Sequence, residues 1–274
     1  MYHLSAIYIY PVKSLGGIPL REATAEIRGL EHDRRWMLTD ENGVFLTQRE
    51  LPEMALLQPS IENGHLVIRH RNKPMEPLTI SLAPASYGEA LTVSVWDDTC
   101  VAVHVSDVAD AWFQEALNAP CCLVYMPDNS IRAIDPDYAQ PGDFVSFADG
   151  YPFLIIGESS MAYLNEKLEI PLSIRQFRPN FVFSGNAPHE EDEWKNFSIG
   201  SVRFRGTKPC GRCQIPTIDQ ETSIQGKEPS ATLAKYRRFG HKINFGMNVC
   251  LDGAPGVVRV GEELVVLEKM EGTL

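Results

Sequence analysis

The sequence of 274 residues has little positive charge, since 25 Lys and Arg stand against 36 Asp and Glu, for a formal net charge of -11. Nucleic acids and anionic membranes are held mainly by Lys and Arg, so this shortage argues against both as partners. It leaves open a small anionic ligand in a locally basic pocket. We therefore expect a protein that binds neither nucleic acid nor membrane.

Long apolar runs are also missing. Residues 153–157 form one of the longest apolar stretches, far short of the roughly 20 residues that a membrane-spanning helix needs. The N-terminus has no basic segment leading into an apolar core, so we expect no signal peptide and a cytoplasmic location. In a reducing cytosol, the six cysteines are expected to be thiols, ligands or reactive groups instead of disulfides.

The hydrophobic fraction of 44% is typical of a globular protein, and its patterning predicts a mostly β structure with some α, an α+β fold. A first strand over 4–12 is followed by three predicted hairpins. Hairpins in series favour a barrel or a strongly curved sheet, because closure removes exposed strand edges. The hairpins pair 36–38 with 44–46, 56–61 with 66–69, and 91–96 with 100–105.

Helical patterns begin after residue 105. Ser106 is a predicted cap for a helix to Asn118, with Val108, Trp112 and Ala116 at a spacing of four. Further helices are predicted over 159–168 and 230–240, and strands over 181–184, 202–205, 257–260 and 264–267. We expect two domains, a β-barrel-like domain over 1–115 and a second β-barrel domain with peripheral helices over 116–274.

One run of charge, His189-Glu190-Glu191-Asp192-Glu193, contains adjacent carboxylates. A carboxylate pair for acid–base chemistry is one interpretation. Blocks of like charge are usually solvated, so we expect an exposed loop.

A C-x-x-C motif, Cys210-Gly211-Arg212-Cys213, is the most informative segment. Structural zinc would need two more ligands, and no second C-x-x-C or His pair accompanies it. A redox dithiol would need a βα turn, and the β-rich setting is against that. Two interpretations stay open. One cysteine could bind a soft or transition metal as a thiolate stabilised by Arg212 and Lys208, or both cysteines could be ordinary thiols in a turn.

Three basic residues lie where predicted strands meet loops: Lys13, Arg34 and Arg178. Arginine in such a position can hold a phosphate or carboxylate with two hydrogen bonds. Taken singly, each is more simply a surface ion pair.

An ordered set of segments resembles the MOSC family, in the subgroup that has an N-terminal β-barrel domain before the MOSC domain. The segments are YPVKS, HDRRWML, FLTQRELPEMALL, YPFLIIGESS, RQFRPNFVFSG, KPCGRCQIPTID, KEPSATLAKYR and FGMN, and they cover nearly the whole chain.

The resemblance implies a pyranopterin molybdenum cofactor (Mo-molybdopterin), with Cys213 as the catalytic residue and the protein's ligand to molybdenum. Cys210 would be a neighbour of the metal and not a ligand. Pyridoxal phosphate binding is not expected. The cofactor would lie in a cleft between the two halves, in contact with Lys13, Ser14, Arg34, Tyr151, Arg178, Gly211, Arg212 and Asn248.

The activity that this resemblance implies is a molybdenum-dependent oxidoreductase acting on a small N-hydroxylated or N-oxide-like substrate. No cysteine follows Cys250, so electrons are expected from a separate ferredoxin-like protein or flavoprotein. An alternative is a sulfur carrier with a persulfide on Cys213, for assembly of a metal–sulfur cluster or cofactor. A third is a cofactor-binding protein without turnover.

Overall fold

The structure is a computed structural model that describes residues 1–83 and 87–270, and most of its regular elements are strands. The strands are β1 Tyr2–Ile9, β2 Ile18–Leu20, β3 Glu22–Glu26, β4 Gly29–Leu30, β5 Trp36–Thr39, β6 Leu57–Glu62, β7 His65–His70, β8 Leu78–Ser81, β9 Ala90–Val95, β10 Asp98–His104, β11 Cys122–Tyr125, β12 Phe153–Gly157, β13 Phe181–Ser184, β14 Trp194–Ile199, β15 Val202–Gly211, β16 Arg238–Phe239, β17 Lys242–Leu251, β18 Gly256–Arg259 and β19 Glu263–Lys269. The helices are α1 Asp107–Leu117, α2 Glu158–Asn165 and α3 Ser230–Leu233, with short 3-10 helices at Pro52–Leu56, Ile174–Phe177, Glu190–Glu193 and Ile215–Thr217.

Seven strands form a closed barrel in the order β12-β13-β1-β19-β14-β15-β17, because β12 also pairs with β17. The barrel interior is filled by large buried side chains, among them Phe153, Phe181, Trp194 and Phe204. Phe153 stacks on Phe181 with ring centroids 5.5 Å apart. The predicted α+β fold with a β-barrel in its second half is confirmed.

Two short strands extend the barrel sheet, β2 beside β1 and β16 beside β17, and the remaining strands described form smaller sheets in the orders β5-β11-β10-β9, β6-β7-β8 and β18-β3-β4. The first two of these smaller sheets enclose an apolar core that includes Trp36, Leu57, Ile68 and Phe113, the last of these from α1. These curved sheets make up the barrel-like N-terminal part of the fold.

Strands are exchanged between the two predicted domains. β1 lies between β13 and β19 in the second barrel, whereas β11 pairs with β5 and β10 of the N-terminal sheet. β18 adds to β3. The boundary at residues 115 and 116 stays a prediction, but the sheets cross it in both directions.

Helix α1 begins and ends as predicted. The Ser106 hydroxyl accepts a hydrogen bond from the Ala109 N–H at 3.2 Å, and Asn118 adopts the left-handed conformation at the end. Of the three residues at a spacing of four, Ala116 is buried and Trp112 packs against the core, whereas Val108 is exposed and the buried face is completed by Ala109 and Phe113. None of the helices in the described part of the chain has the length and apolar character needed to span a bilayer.

Two predicted helices are shorter in the structure. Helix α2 ends at Asn165 and α3 at Leu233, where residues 168 and 240 were predicted. After α3 the chain turns so that the Arg237 side chain reaches the buried carboxylate of Asp192.

The hairpin predicted over 36–46 forms only in part. Its turn closes through an isolated antiparallel bridge of Thr39 with Phe45, and the Leu46 N–H donates to the Leu38 carbonyl at 2.8 Å, but residues 44–46 form no named strand. The longer ladder of β5 is with β11, from much later in the chain. The other two hairpins are confirmed, as β6 with β7 around Asn63-Gly64 and as β9 with β10. In the last of these, the turn comes earlier than predicted, because β10 already begins at Asp98.

The solvated loop expected at 189–193 is also wrong. Glu190–Glu193 is a 3-10 helix in which Glu191 is 0% exposed. Glu191 accepts hydrogen bonds from the Gly157 N–H at 3.0 Å and from the Ser160 hydroxyl at 2.8 Å. These donors replace the water that a buried carboxyl loses, and they fasten the segment to the start of α2.

Candidate functional site

A cleft at one end of the barrel collects the predicted site residues. Because β1 and β13 are antiparallel, the end of β1 lies beside the start of β13, and the parallel strand β12 starts at the same end. Eight of the nine predicted residues line this cleft: Lys13, Ser14, Arg34, Tyr151, Arg178, Arg212, Cys213 and Asn248. Gly211 is the exception, being exposed at the end of β15 beside Lys242.

Three of these residues have left-handed backbone: Ser14 at φ 68°, Arg34 at φ 49° and Arg178 at φ 58°. That conformation is uncommon outside glycine and costs free energy that the surrounding structure must offset. Each bends the chain sharply at the mouth of the barrel, so the side chains come from loops that rigid strands fix in place.

The ring of Tyr10 lies between two guanidinium groups. The Arg34 Cζ is 4.3 Å from the ring centroid and the Arg178 Cζ is 4.2 Å from it. Cations are attracted to the negative faces of an aromatic ring, so Tyr10 lets two positive charges approach each other. Burial raises the pKa of Tyr10 to about 12, so the phenol stays protonated at neutral pH.

Arg34 is held by acceptors from both halves of the chain. Its Nη1 donates to Asp33 Oδ2 at 2.6 Å and to Asn180 Oδ1 at 3.2 Å, and its Nη2 donates to the Arg178 carbonyl at 3.1 Å. Asn180 is 1% exposed and also accepts from the Leu154 N–H. The guanidinium is thus fixed before any ligand arrives.

Lys13 is buried at the other side of the cleft, where it forms an ion pair with the exposed carboxylate of Asp149. Its Nζ donates to Asp149 Oδ1 at 2.5 Å and to the Phe147 carbonyl at 2.8 Å. Burial lowers the pKa of Lys13 to about 8, against the opposing effect of Asp149. The same Asp149 oxygen accepts from Trp96 Nε1 at 3.2 Å, which connects the β9–β10 turn to the cleft.

Both cysteines of the C-x-x-C motif line the cleft, and Cys213 is the more exposed. Arg212 Nη1 donates to Cys210 Sγ at 3.1 Å, and Arg212 Nη2 donates to the Phe177 carbonyl at 2.8 Å. Arg212 therefore engages the first thiol, while Cys213 faces the cleft without a disulfide partner.

Asn248 lies on β17, and Tyr151 lies two residues before the neighbouring barrel strand β12. Asn248 pairs with Leu154 across β17 and β12, and its carbonyl accepts from the Thr207 hydroxyl at 3.1 Å. Tyr151 precedes β12 and is 9% exposed. Burial raises the pKa of Tyr151 to about 12, so its hydroxyl is a neutral group at this wall.

Several functional positions escaped sequence reasoning. Asp149 and Asn180 line the cleft, and Tyr10 and Asp33 orient its arginines. Tyr10 lies three residues before Lys13, and Asp33 directly precedes Arg34. Nothing in the sequence indicates that the Tyr10 ring and the Asp33 carboxylate both contact the Arg34 guanidinium. That contact follows from the pairing of β1 with β13.

No set of cysteines in the described residues is placed to hold an iron–sulfur cluster or zinc. The single group of three metal-ligating side chains found there is His104, Asp107 and Asp110, none of which lines the cleft. A structural zinc site at Cys210 and Cys213 thus lacks further ligands.

Comparison with known proteins connects this geometry to a family. The model for the MOSC N-terminal beta barrel domain matches residues 1–120, and the model for the MOSC domain matches residues 143–265. Among solved structures, a crystal structure of the YuaD protein of Bacillus subtilis is 12% identical and covers 96% of this chain and 94% of that one. Its TM-score of 0.46 is too low for a structural inference.

Curated relatives match most of this chain. Molybdenum cofactor sulfurase of Oryza sativa subsp. japonica is 34% identical over 89% of the chain, and that of Homo sapiens 30% identical over 97%. The chain spans about a third of the length of these sulfurases, 32% in both cases. Mitochondrial amidoxime-reducing component 1 of Homo sapiens is 30% identical, with 96% of this chain and 82% of that protein covered. The chain therefore belongs to the MOSC family, in the group that carries the N-terminal β-barrel domain.

Proposed function

We propose that this protein is a molybdenum-cofactor-dependent oxidoreductase that reduces a small N-hydroxylated or N-oxide-like substrate, with Cys213 as the protein ligand to molybdenum. The observation that carries the proposal is the meeting of Cys213 with Lys13, Arg34, Arg178 and Arg212 in one cleft of an otherwise acidic protein. The names of relatives, a molybdenum cofactor sulfurase and an amidoxime-reducing component, support a role linked to this cofactor.

The donor set fits an anionic pterin cofactor. Arg212 Nε is buried and has no acceptor among the residues described, so it is free to donate to a ligand in this cleft. An unpaired buried donor is costly, and a ligand oxygen would remove that cost. A phosphate dianion is the group that such guanidinium forks bind best.

The chain's own groups have distinct tasks in this reaction. When bound, the cofactor supplies the two-electron chemistry by which R–NH–OH, two electrons and two protons give R–NH₂ and water. The sulfur of Cys213 would hold the metal, and the arginines of the cleft would orient the anionic groups of the cofactor. Lys13, with a pKa of about 8, holds a proton at Nζ near neutral pH, close to Asp149.

We further propose that electrons come from a separate ferredoxin-like protein or flavoprotein in the cytoplasm. The described residues contain no set of cysteines for an iron–sulfur cluster, so a redox relay inside them is not available. A reductase assay with a hydroxylamine and a supplied electron donor separates this enzyme from a protein that binds the cofactor without turnover.

The test of the metal ligand compares two cysteine variants, expressed in a host with intact cofactor synthesis. We expect stoichiometric molybdenum in the wild type and in Cys210→Ala, and loss of most molybdenum in Cys213→Ala, because only Cys213 is assigned to the metal. Elemental analysis gives the readout. Equal molybdenum in the wild type and Cys213→Ala would overturn the assignment.

A sulfur carrier is the second candidate, favoured by the exposure of Cys213 and by the similarity to molybdenum cofactor sulfurases. It predicts cyanide-labile sulfur on Cys213 without molybdenum. Molybdopterin absorbance in the purified protein argues against it, whereas labile sulfur that is lost in Cys213→Ala and kept in Cys210→Ala supports it.

A further inference from the structure

A second cleft adjoins the cofactor cleft and shares one lining residue with it, Arg178. Tyr10 lines the second cleft and not the first, so its ring and the Arg178 guanidinium form the wall between the two. None of the roles proposed above uses this space.

The floor of the second cleft consists of buried hydrogen-bond donors. Tyr10 is 1% exposed, and no acceptor for its hydroxyl exists among the residues that the structure describes. Arg178 is 8% exposed; its Nη1 donates to the Leu15 carbonyl at 2.6 Å, and its Nη2 has no acceptor in the same described part. Two buried donors without acceptors, side by side, call for a ligand that brings oxygens.

The rim adds positive charge from two exposed side chains. Arg71 and Arg175 are exposed, and Arg175 Nη2 donates to the Gly17 carbonyl at 3.2 Å. Two acidic residues, Asp219 and Glu221, also lie at the rim. Asp219 Oδ1 is already engaged by the Glu221 N–H at 3.0 Å and by the Thr222 N–H and hydroxyl at 2.8 Å, so its charge is largely directed into its own loop.

One wall of the second cleft is apolar. Ile170 is 74% exposed and Leu172 is half-buried, and both line the cleft. An apolar wall together with a charged floor suits a ligand with a short hydrocarbon body and a charged head.

We propose that the second cleft binds a small oxyanion, a carboxylate or phosphate on a short apolar body, whose oxygens accept hydrogen bonds from the Tyr10 hydroxyl and the Arg178 guanidinium. Arg175 and Arg71 close over it from the rim, and Ile170 and Leu172 contact its apolar part. The proposal does not depend on molybdenum. Two sources of the oxyanion are a free small molecule and the terminal phosphate of the proposed cofactor, and we assign the site to the free molecule.

Calorimetric titration of cofactor-free protein with inorganic phosphate, acetate and butyrate tests the site. We expect saturable binding of all three, with butyrate roughly tenfold tighter than acetate because two more methylenes contact the apolar wall. Tyr10→Phe removes one donor and keeps the stacked ring, so affinity should fall about tenfold. Arg175→Ala changes an exposed side chain and should weaken binding by a similar factor.

Two matched controls exclude general effects. Tyr236→Phe also removes a buried hydroxyl without an acceptor in the described residues, and Arg203→Ala removes an exposed arginine. Neither residue lines the second cleft, so affinity should not change. Absence of saturable binding, or equal affinity in the wild type, Tyr10→Phe and Arg175→Ala, overturns the proposal.

A second arm identifies the source of the oxyanion. Protein loaded with cofactor is titrated with inorganic phosphate in the same way. Retained binding supports a free small molecule, since the cofactor then leaves the second cleft open. Binding that is lost on loading overturns this assignment, because the cofactor's own phosphate then fills the cleft.

Discussion

Tyr10 is the residue on which the basic side of the cleft depends. Like charges as close as Arg34 and Arg178 repel each other, and burial adds to that cost by lowering the pKa of Arg178 to about 10. The two faces of the Tyr10 ring and the buried carboxylate of Asp33 offset the repulsion. Arg178 therefore stays charged at neutral pH, and both guanidinium groups are fixed in direction, as an anion site requires.

Gly17 is essential to the position of that ring. A Cβ at residue 17 would lie 2.5 Å from Tyr10 Cε1, and the ring has little room to withdraw because the Arg34 and Arg178 guanidinium carbons lie 4.3 and 4.2 Å from its centroid. We expect Gly17→Ala to lower the free energy of unfolding by about 2 kcal/mol, as overpacking of a core does.

Urea denaturation measures this loss. Gly226→Ala is the control, since the nearest atom to its added Cβ is 3.8 Å away. Equal midpoints for the two variants would show that the Tyr10 ring yields easily, contrary to the packing described here.

Single elements differ in how far the sequence predicts them. Helix α1 was predictable because its signals are local, the Ser106 cap and the left-handed Asn118. The turn at Asn42-Gly43 was predictable for the same reason, and it closes through the bridge of Thr39 with Phe45. The ladder of β5 with β11 was not, because its partner residues are more than 80 positions apart and no local pattern encodes that pairing. The candidate site followed from short motifs, while Tyr10 and Asp149 acquire their roles only through contacts between distant segments.

The 3-10 helix Glu190–Glu193 shows how burial overrides composition. Glu191 keeps a full set of donors but lies away from water, and burial raises its pKa from 4.5 to about 7. Between those values the folded protein holds a proton that the unfolded chain has released. This contribution to stability is therefore complete below pH 4.5 and is lost as the pH rises to about 7.

Glu191→Gln should remove this pH dependence, because its amide oxygen can still accept from the Gly157 N–H and the Ser160 hydroxyl. The difference in unfolding free energy between the wild type and the variant should change by about 3 kcal/mol from pH 4.5 to pH 7. Urea denaturation across this range is the measurement. Glu193→Gln, at a half-exposed neighbour, should follow the wild type, and a pH-independent difference for Glu191→Gln would contradict the raised pKa.

At the scale of the whole molecule, the cleft lies where two parts of the fold share strands. β1 completes the barrel formed by later strands, and β11 completes the N-terminal sheet. Neither part closes its sheet with its own segment of chain. The basic residues that follow β1 and the C-x-x-C motif at the end of β15 are therefore attached to the same sheet. This shared sheet fixes the position of one side of the cleft relative to the other.

Shared strands predict a single cooperative unfolding of both parts. Ile7 on β1 is 0% exposed in the barrel core, and Ile7→Ala should cost about 3 kcal/mol. The measurement is hydrogen exchange in urea, followed by mass spectrometry. Because β1 links the two parts, peptides of β14 and β15 should lose protection together with peptides of β10 and β11. In Ile7→Ala this loss should occur at a lower urea concentration than in the wild type. Val101→Ala, at an exposed position on β10, should leave both unchanged. Protection that persists in β10 and β11 after the barrel has opened would mean that the N-terminal sheet folds by itself, and the strand exchange would then be a contact between independent domains.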